Sequence, residues 1–280
     1  MPMYDFHQLT NWSWYFCGSK TIAKLVYQSG QAYSGSEAEL LEWVYSQEAL
    51  SKFSIAHYSR RTAAQTACAN DNFLKAIQAA SPGRHFITDL AGCSGELLEI
   101  MTELFTIVRN LNTTDDGRSD QHEKTFKDLQ ARLETIQQEV NVTSTRTSHE
   151  VARLKSTAEL YRLACLIYLE RVGRGVPRWN TRVGKVVEVA LDLLESLKSC
   201  ERAFPMFVVS CEARTDEQRR IVLDVFAETS KTRNVGNMNL VRTMVEAAWV
   251  HDDLHGEEEV PALDMYNFVV SACQAMPSFT

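Results

Sequence analysis

From Leu160 to Leu169 ten consecutive residues carry a single charge, at Arg162. Wound at 3.6 residues per turn, such a stretch turns apolar side chains to almost every side, so it must be sheathed by other elements rather than lie on a surface. The helix predicted here runs from Ser156 to Val172, and Gly173 is expected to end it in a left-handed backbone conformation. The chain has six prolines, and Pro82, Pro177, Pro205 and Pro261 fall between long proline-free segments. Prolines placed in this way punctuate helices, and the expected fold is an all-α, irregular multi-helix domain.

Other segments agree. Val183, Val186, Val187, Ala190, Leu191 and Leu194 recur at three and four residues and predict a one-faced amphipathic helix over Thr181–Lys198. Val241, Met244, Val245, Ala248 and Trp249 predict a second helix from Asn237 to Asp253, with Asn237 as its cap. Three residue pairs, Ser36 with Glu39, Ser156 with Glu159, and Thr215 with Gln218, have the spacing at which two side chains reciprocally satisfy the free amides of a helix start. Ser94 is expected to cap a helix over Glu96–Arg109. The polar stretches 112–120 and 141–148 are expected to be linkers within a single domain spanning 1–280. Between them Phe126, Leu129, Leu133, Ile136 and Val140 form a short apolar seam, too brief to claim a coiled coil and expected to pack on the domain, with a dimerisation helix as the alternative.

At 45% hydrophobic residues the chain can build a sizeable core, and no run is long enough to span a bilayer. A net charge of −7 opposes direct binding to nucleic acid, which relies on basic surface. Arg60-Arg61 and Arg219-Arg220 are expected on solvated helix faces. None of the seven cysteines lies near another in sequence, so they are expected to be reduced, mostly buried apolar residues rather than metal ligands. The triplets at Asn11, Asn112 and Asn141 match the glycosylation pattern but carry little weight, because no secretory signal is recognised and the chain is expected to stay in a reducing compartment.

Catalytic signals are few. His251 and His255, four apart among acidic residues, are weak metal-ligand candidates, because the spacing is common and a solvated acidic helix end explains it. Gly92-Cys93-Ser94-Gly95-Glu96 lacks the last glycine and the preceding strand of a nucleophile elbow. Gly173-Arg174-Gly175 has Arg178 where a dinucleotide loop needs its third glycine. No catalytic residue and no cofactor is therefore assigned. The aromatics of the first sixty residues are expected chiefly in the core, with a ligand pocket as the alternative use.

The segment from Pro205 to Arg220, with Cys211-Glu212-Ala213 leading into Glu217-Gln218-Arg219, resembles a signature block of the fungal-specific transcription factor domain, the second major type found C-terminal to binuclear zinc-cluster DNA-binding domains. Val245-Glu246-Ala247-Ala248-Trp249 followed by Asp252-Asp253 is similar to its Trp-ended helix. Asp89 to Leu97 is similar to its Gly-Cys-Ser helix start, Ala158 to Leu169 to its most apolar helix, and Trp14 to Ser19 to its Trp-containing helix. The resemblance runs nearly end to end but covers only the later part of that domain, so the chain reads as a regulator lacking the zinc cluster and early helices.

What this implies is a nuclear regulator, with the cytoplasm as a second location, that acts through a partner transcription factor or a homodimer, without sequence-specific DNA binding and without a membrane. A small-molecule effector and control of a fungal metabolic or secondary-metabolite gene cluster fit the same reading. Loss of the early helices is expected to expose an apolar patch of residues such as Trp12, Trp14, Phe16, Ile22 and Leu25, and Trp12, Trp14, Phe16 and Trp43 are the contact candidates. The alternative is a small-molecule-binding biosynthetic accessory protein or enzyme derived from the regulatory fold.

Overall fold

A computed structural model of the chain describes residues 12–28, 36–60, 83–112, 119–141, 146–232, 236–255 and 259–279. Among these lie ten α-helices: α1 (Trp12–Gln28), α2 (Ser36–His57), α3 (Gly95–Leu111), α4 (Asp120–Thr135), α5 (Ser148–Tyr168), α6 (Thr181–Leu197), α7 (Ala203–Cys211), α8 (Asp216–Thr232), α9 (Gly236–His255) and α10 (Ala262–Ala272). A π-helical turn, Leu169–Gly173, continues α5. The described residues contain two isolated β-bridges and no strand. The fold is all-α.

The apolar stretch is at the centre, as its all-round hydrophobicity requires. From Leu160 through Gly173 every residue except Arg162 is buried, with α4, α6 and α7 packed on α5, and α3, α4 and α10 on the π-turn. Helix α7 is buried at all nine positions, and Pro205 is accommodated there because it lies in the first turn, where amides have no intrahelical partner. Phe53 of α2 stands at the middle of an aromatic cluster, its ring centroid 4.6 to 6.2 Å from those of His57, Phe105, Tyr168, Phe204, Phe207, Tyr266 and Phe279.

The helix-start chemistry follows the sequence in two places. Ser94 Oγ accepts from the Leu97 amide at the start of α3, and Thr215 and Gln218 exchange the two bonds of a capping box at the start of α8. Ser36 begins α2, but the side chains at that start lie outside the described residues.

Three expectations are corrected. Helix α5 starts at Ser148, not Ser156: Thr147 and Glu150 form the capping box, eight or nine residues earlier than read. Ser156 and Glu159 are inside the helix, where Glu159 turns to Arg162 instead. Gly173 is not left-handed; Gly175 is, at φ 67°. Gly173 is needed for a different reason, since a Cβ there would stand 3.0 Å from Phe126 Cε1. Asn237 falls within the first turn of α9, which begins at Gly236, so it is not the cap. The apolar seam faces inward: Phe126, Leu129, Leu133 and Val140 are all core residues.

Candidate functional site

Glu212 and Asp252, from two of the segments that resemble a signature, join Arg171, Arg178 and Glu259 in a largely buried charge lattice. Arg171, on the π-turn, donates through Nε to both Glu212 carboxylate oxygens at 3.0 and 3.1 Å, and through Nη1 to Glu259 Oε1 and the Val176 carbonyl, each at 2.6 Å. Glu259 Oε1 also accepts from the Arg178 amide at 2.8 Å, while the Arg178 guanidinium binds Asp252. Arg171 and Glu212 are 98% buried. Charges so deep are tolerated only when paired and hydrogen-bonded. The lattice therefore clamps the π-turn, the ends of α7 and α9 and the segment before α10 into one arrangement.

Trp249 completes that arrangement. Its indole is buried, and Nε1 donates to the Ser210 carbonyl at 2.8 Å, which ties α9 to the end of α7. The Arg219 guanidinium lies 5.3 Å above the ring and reaches Asp253 with two bonds of 2.8 and 2.7 Å. Arg219 is thus an anchor rather than part of a solvated face, while its neighbour Arg220 does face solvent. Arg60, from the other basic pair, donates to the Ser271 and Cys273 carbonyls at the end of α10, and Arg61 lies outside the described residues.

A second buried polar cluster surrounds His57. Its Nδ1 is 2.8 Å from Asn267 Oδ1 and so carries the proton, leaving Nε2 to accept from the Tyr168 hydroxyl at 2.6 Å. Asn267 and Asn112 exchange two further side-chain bonds, and Asn112 Nδ2 also donates to the Ala56 carbonyl. Burial lowers the His57 pKa to about 4, against the partial support of the Asn267 bond. The imidazole is neutral at physiological pH, enclosed, and structural. Burial likewise pushes the Cys93 and Cys200 thiols up, to about 12 and about 11, far from thiolate chemistry. The six described cysteines are free.

The residues singled out in the sequence are not gathered into one site. The backbone of Trp12 and Trp14 begins α1, but their side chains lie outside the described residues. Phe16 is buried, under Lys20, whose ammonium is 5.5 Å from the ring and pairs with buried Glu48 at 2.8 Å. Trp43 is on α2, partly exposed at 39%. Tyr45, Phe53 and Tyr58 are core residues.

His251 and His255 stack, ring centroids 4.2 Å apart, with Phe268 against His251 at 4.9 Å. His255 Nδ1 is turned to the His251 carbonyl at 2.7 Å, and burial together with neighbouring His255 holds His251 below the ordinary imidazole pKa. Among the described residues no three His, Cys, Asp or Glu side chains converge to hold a metal.

Large apolar side chains exposed among the described residues include Ile22, Leu25, Leu40 and Trp43 on the first two helices, and Trp179, Val189, Val250, Leu254 and Phe268 later in the chain. In α1, Phe16, Lys20 and Ala23 face inward, whereas Ile22 and Leu25 are 65% and 62% exposed. In α2, which packs on α1, Leu40 is 59% exposed on the same helical face as Trp43, three residues on. Ile22 and Leu25 are exposed, whereas Phe16, expected beside them at the surface, turns inward, because aromatic content alone does not say which face of α1 is buried. Arg171 was missed altogether: it is separated by 41 residues from Glu212 and by 88 from Glu259, and no local pattern announces such a pairing.

No helix among the described residues is long and apolar enough to cross a membrane. No solved structure matches the chain. Transcription factor iacI of Pestalotiopsis fici is 27% identical over 285 residues, an alignment that takes in the whole of this chain and 70% of that protein. The profile described as the fungal specific transcription factor domain matches residues 1–270. With that match over nearly its whole length, the chain belongs to the fungal-specific transcription factor domain family.

Proposed function

We propose that the chain is a nuclear transcriptional regulator, folded as a single regulatory domain, that works through a second protein instead of reading DNA itself. The observation that carries this reading is the placement of its chemistry. Of the titratable residues of the signature segments, Glu212, Arg219, Asp252 and Asp253 are paired across elements, while α1 and α2 turn Ile22, Leu25, Leu40 and Trp43 toward solvent. These exposed apolar side chains, on two helices that pack on each other, form the contact surface proposed. The occupant proposed is a basic protein, such as a DNA-bound transcription factor, since the net charge of −7 favours a basic partner and opposes a second copy of the same acidic chain. Control of a metabolic gene cluster is the proposed setting.

Light scattering of the purified chain at two ionic strengths tests the choice of occupant. A monomer at both is expected. A stable dimer that Ile22→Asp with Leu25→Asp converts to monomer would replace the heterologous partner with a second copy.

A further inference from the structure

A cleft of about 310 Å³ lies between the loop before α3, the first three turns of α5 and the segment before α7, lined by three arginines, Arg146, Arg153 and Arg202. Each is held differently. Arg202 donates to the carbonyls of Leu90 and Asp89 at 2.8 and 2.6 Å, a seat that requires Gly92: its φ is 78°, and a Cβ there would lie 2.8 Å from Arg202 Nε. Arg146 reaches Asp89 through Nη2 at 2.6 Å, but Asp89 is well exposed, and such a pair is weak enough to yield to a competing anion. Arg153 makes one long bond, 3.3 Å, from Nη2 to Ser199 Oγ. Among the described residues neither Arg153 nor Arg202 has a carboxylate within ion-pair distance.

Three carboxylates, Asp89, Glu150 and Glu201, face the same cleft. Glu150 is turned back to the helix start, its Oε2 accepting from the Thr147 amide and hydroxyl at 2.7 and 2.9 Å. Among the described lining residues the formal charges thus balance, which disfavours multiply charged guests, while Arg153 keeps donors to spare. Leu154, Thr157 and Cys200 supply apolar wall, and the volume is at the lower end of the range for small-molecule sites, ~300–1,000 Å³.

We propose that this cleft binds a small organic monocarboxylate, its head on Arg153 and Arg146 under the fixed positive charge of Arg202, and its apolar body along Leu154 and Thr157. The site stands independently of how the chain acts on transcription.

Hexanoate, hexanol and inorganic phosphate, titrated separately into the full chain by calorimetry with ligand-observed saturation-transfer spectra, test the assignment. Hexanoate is expected to bind at one site and the other two to bind more weakly. Arg153→Gln should weaken hexanoate by about tenfold or more, the loss of a charge-assisted bidentate partner, with thermal unfolding of the unliganded protein unchanged, and Arg153→Lys should retain part of the binding. Arg146→Gln provides a second variant, with a smaller loss. Hexanol equal to hexanoate, phosphate tighter than hexanoate, unaltered affinity in properly folded Arg153→Gln, or no binding to the wild-type chain would each overturn the proposal.

Discussion

Replacing Trp249 with Ala removes the piece that joins α9 to α7. An aromatic side chain buries roughly 150–250 Å², which at about 25 cal/mol per Å² corresponds to roughly 4–6 kcal/mol as an upper bound; measured truncations of large aromatics cost about 3–5 kcal/mol. The Ser210 carbonyl loses its indole donor, and the Arg219 guanidinium loses the ring beneath it. The expected cost is at the upper end, about 4–5 kcal/mol, or a fall in melting temperature on the order of 10 °C for a chain of this size. Trp249→Phe keeps most of the apolar contact and drops the Nε1 bond, so it should cost about 1–3 kcal/mol. Urea denaturation followed by circular dichroism measures both. Equal losses for Phe and Ala would refute the packing argument, and an unchanged midpoint for Ala would mean that the indole is not buried.

Three further outcomes are expected. His57 has a folded-state pKa lowered by burial to about 4, against an ordinary value of 6.5; its contribution is complete above pH 6.5 and lost as pH falls from 6.5 toward 4, about 3 kcal/mol in all, and urea midpoints of His57→Gln should be flatter over that window. Arg171→Ala leaves Glu212 and Glu259 buried without their shared cation and should cost about 3–5 kcal/mol, while Arg171→Met combined with Glu212→Gln should cost less than the sum of the two single changes, as a double-mutant cycle in urea would measure. The purified chain should not retard a promoter duplex at physiological salt in a gel-shift assay; submicromolar, sequence-specific retardation would contradict the electrostatic reading.

How much of this was legible beforehand depended on range. The α6 stripe was legible but for its edge, because Val183, Val187, Ala190, Leu191 and Leu194 carry their burial in their spacing while Val186 is only partly buried; the cap at Ser94 was legible for the same reason of locality. The start of α5 was misplaced because Ser156 and Glu159 repeat the Thr147 and Glu150 spacing one stretch later, and the first turns of α5 are too polar for periodicity to decide between them. Gly173 was identified as special but for the wrong cause, since its need for space comes from Phe126 on another helix. The charge lattice around Arg171 and the cleft at Arg153 were both invisible, each being assembled from segments brought together only by the fold.

Regulation of transcription through contacts made by α1 and α2 is the role proposed for the chain. Its most direct test is a reporter assay in which the chain is fused to an unrelated DNA-binding domain. The fusion is expected to change reporter output, up or down, relative to the DNA-binding domain alone, and Ile22→Asp with Leu25→Asp should abolish that change without lowering the melting temperature. Output from the wild-type fusion indistinguishable from the bare DNA-binding domain, or full activity in the folded double variant, would contradict the claim.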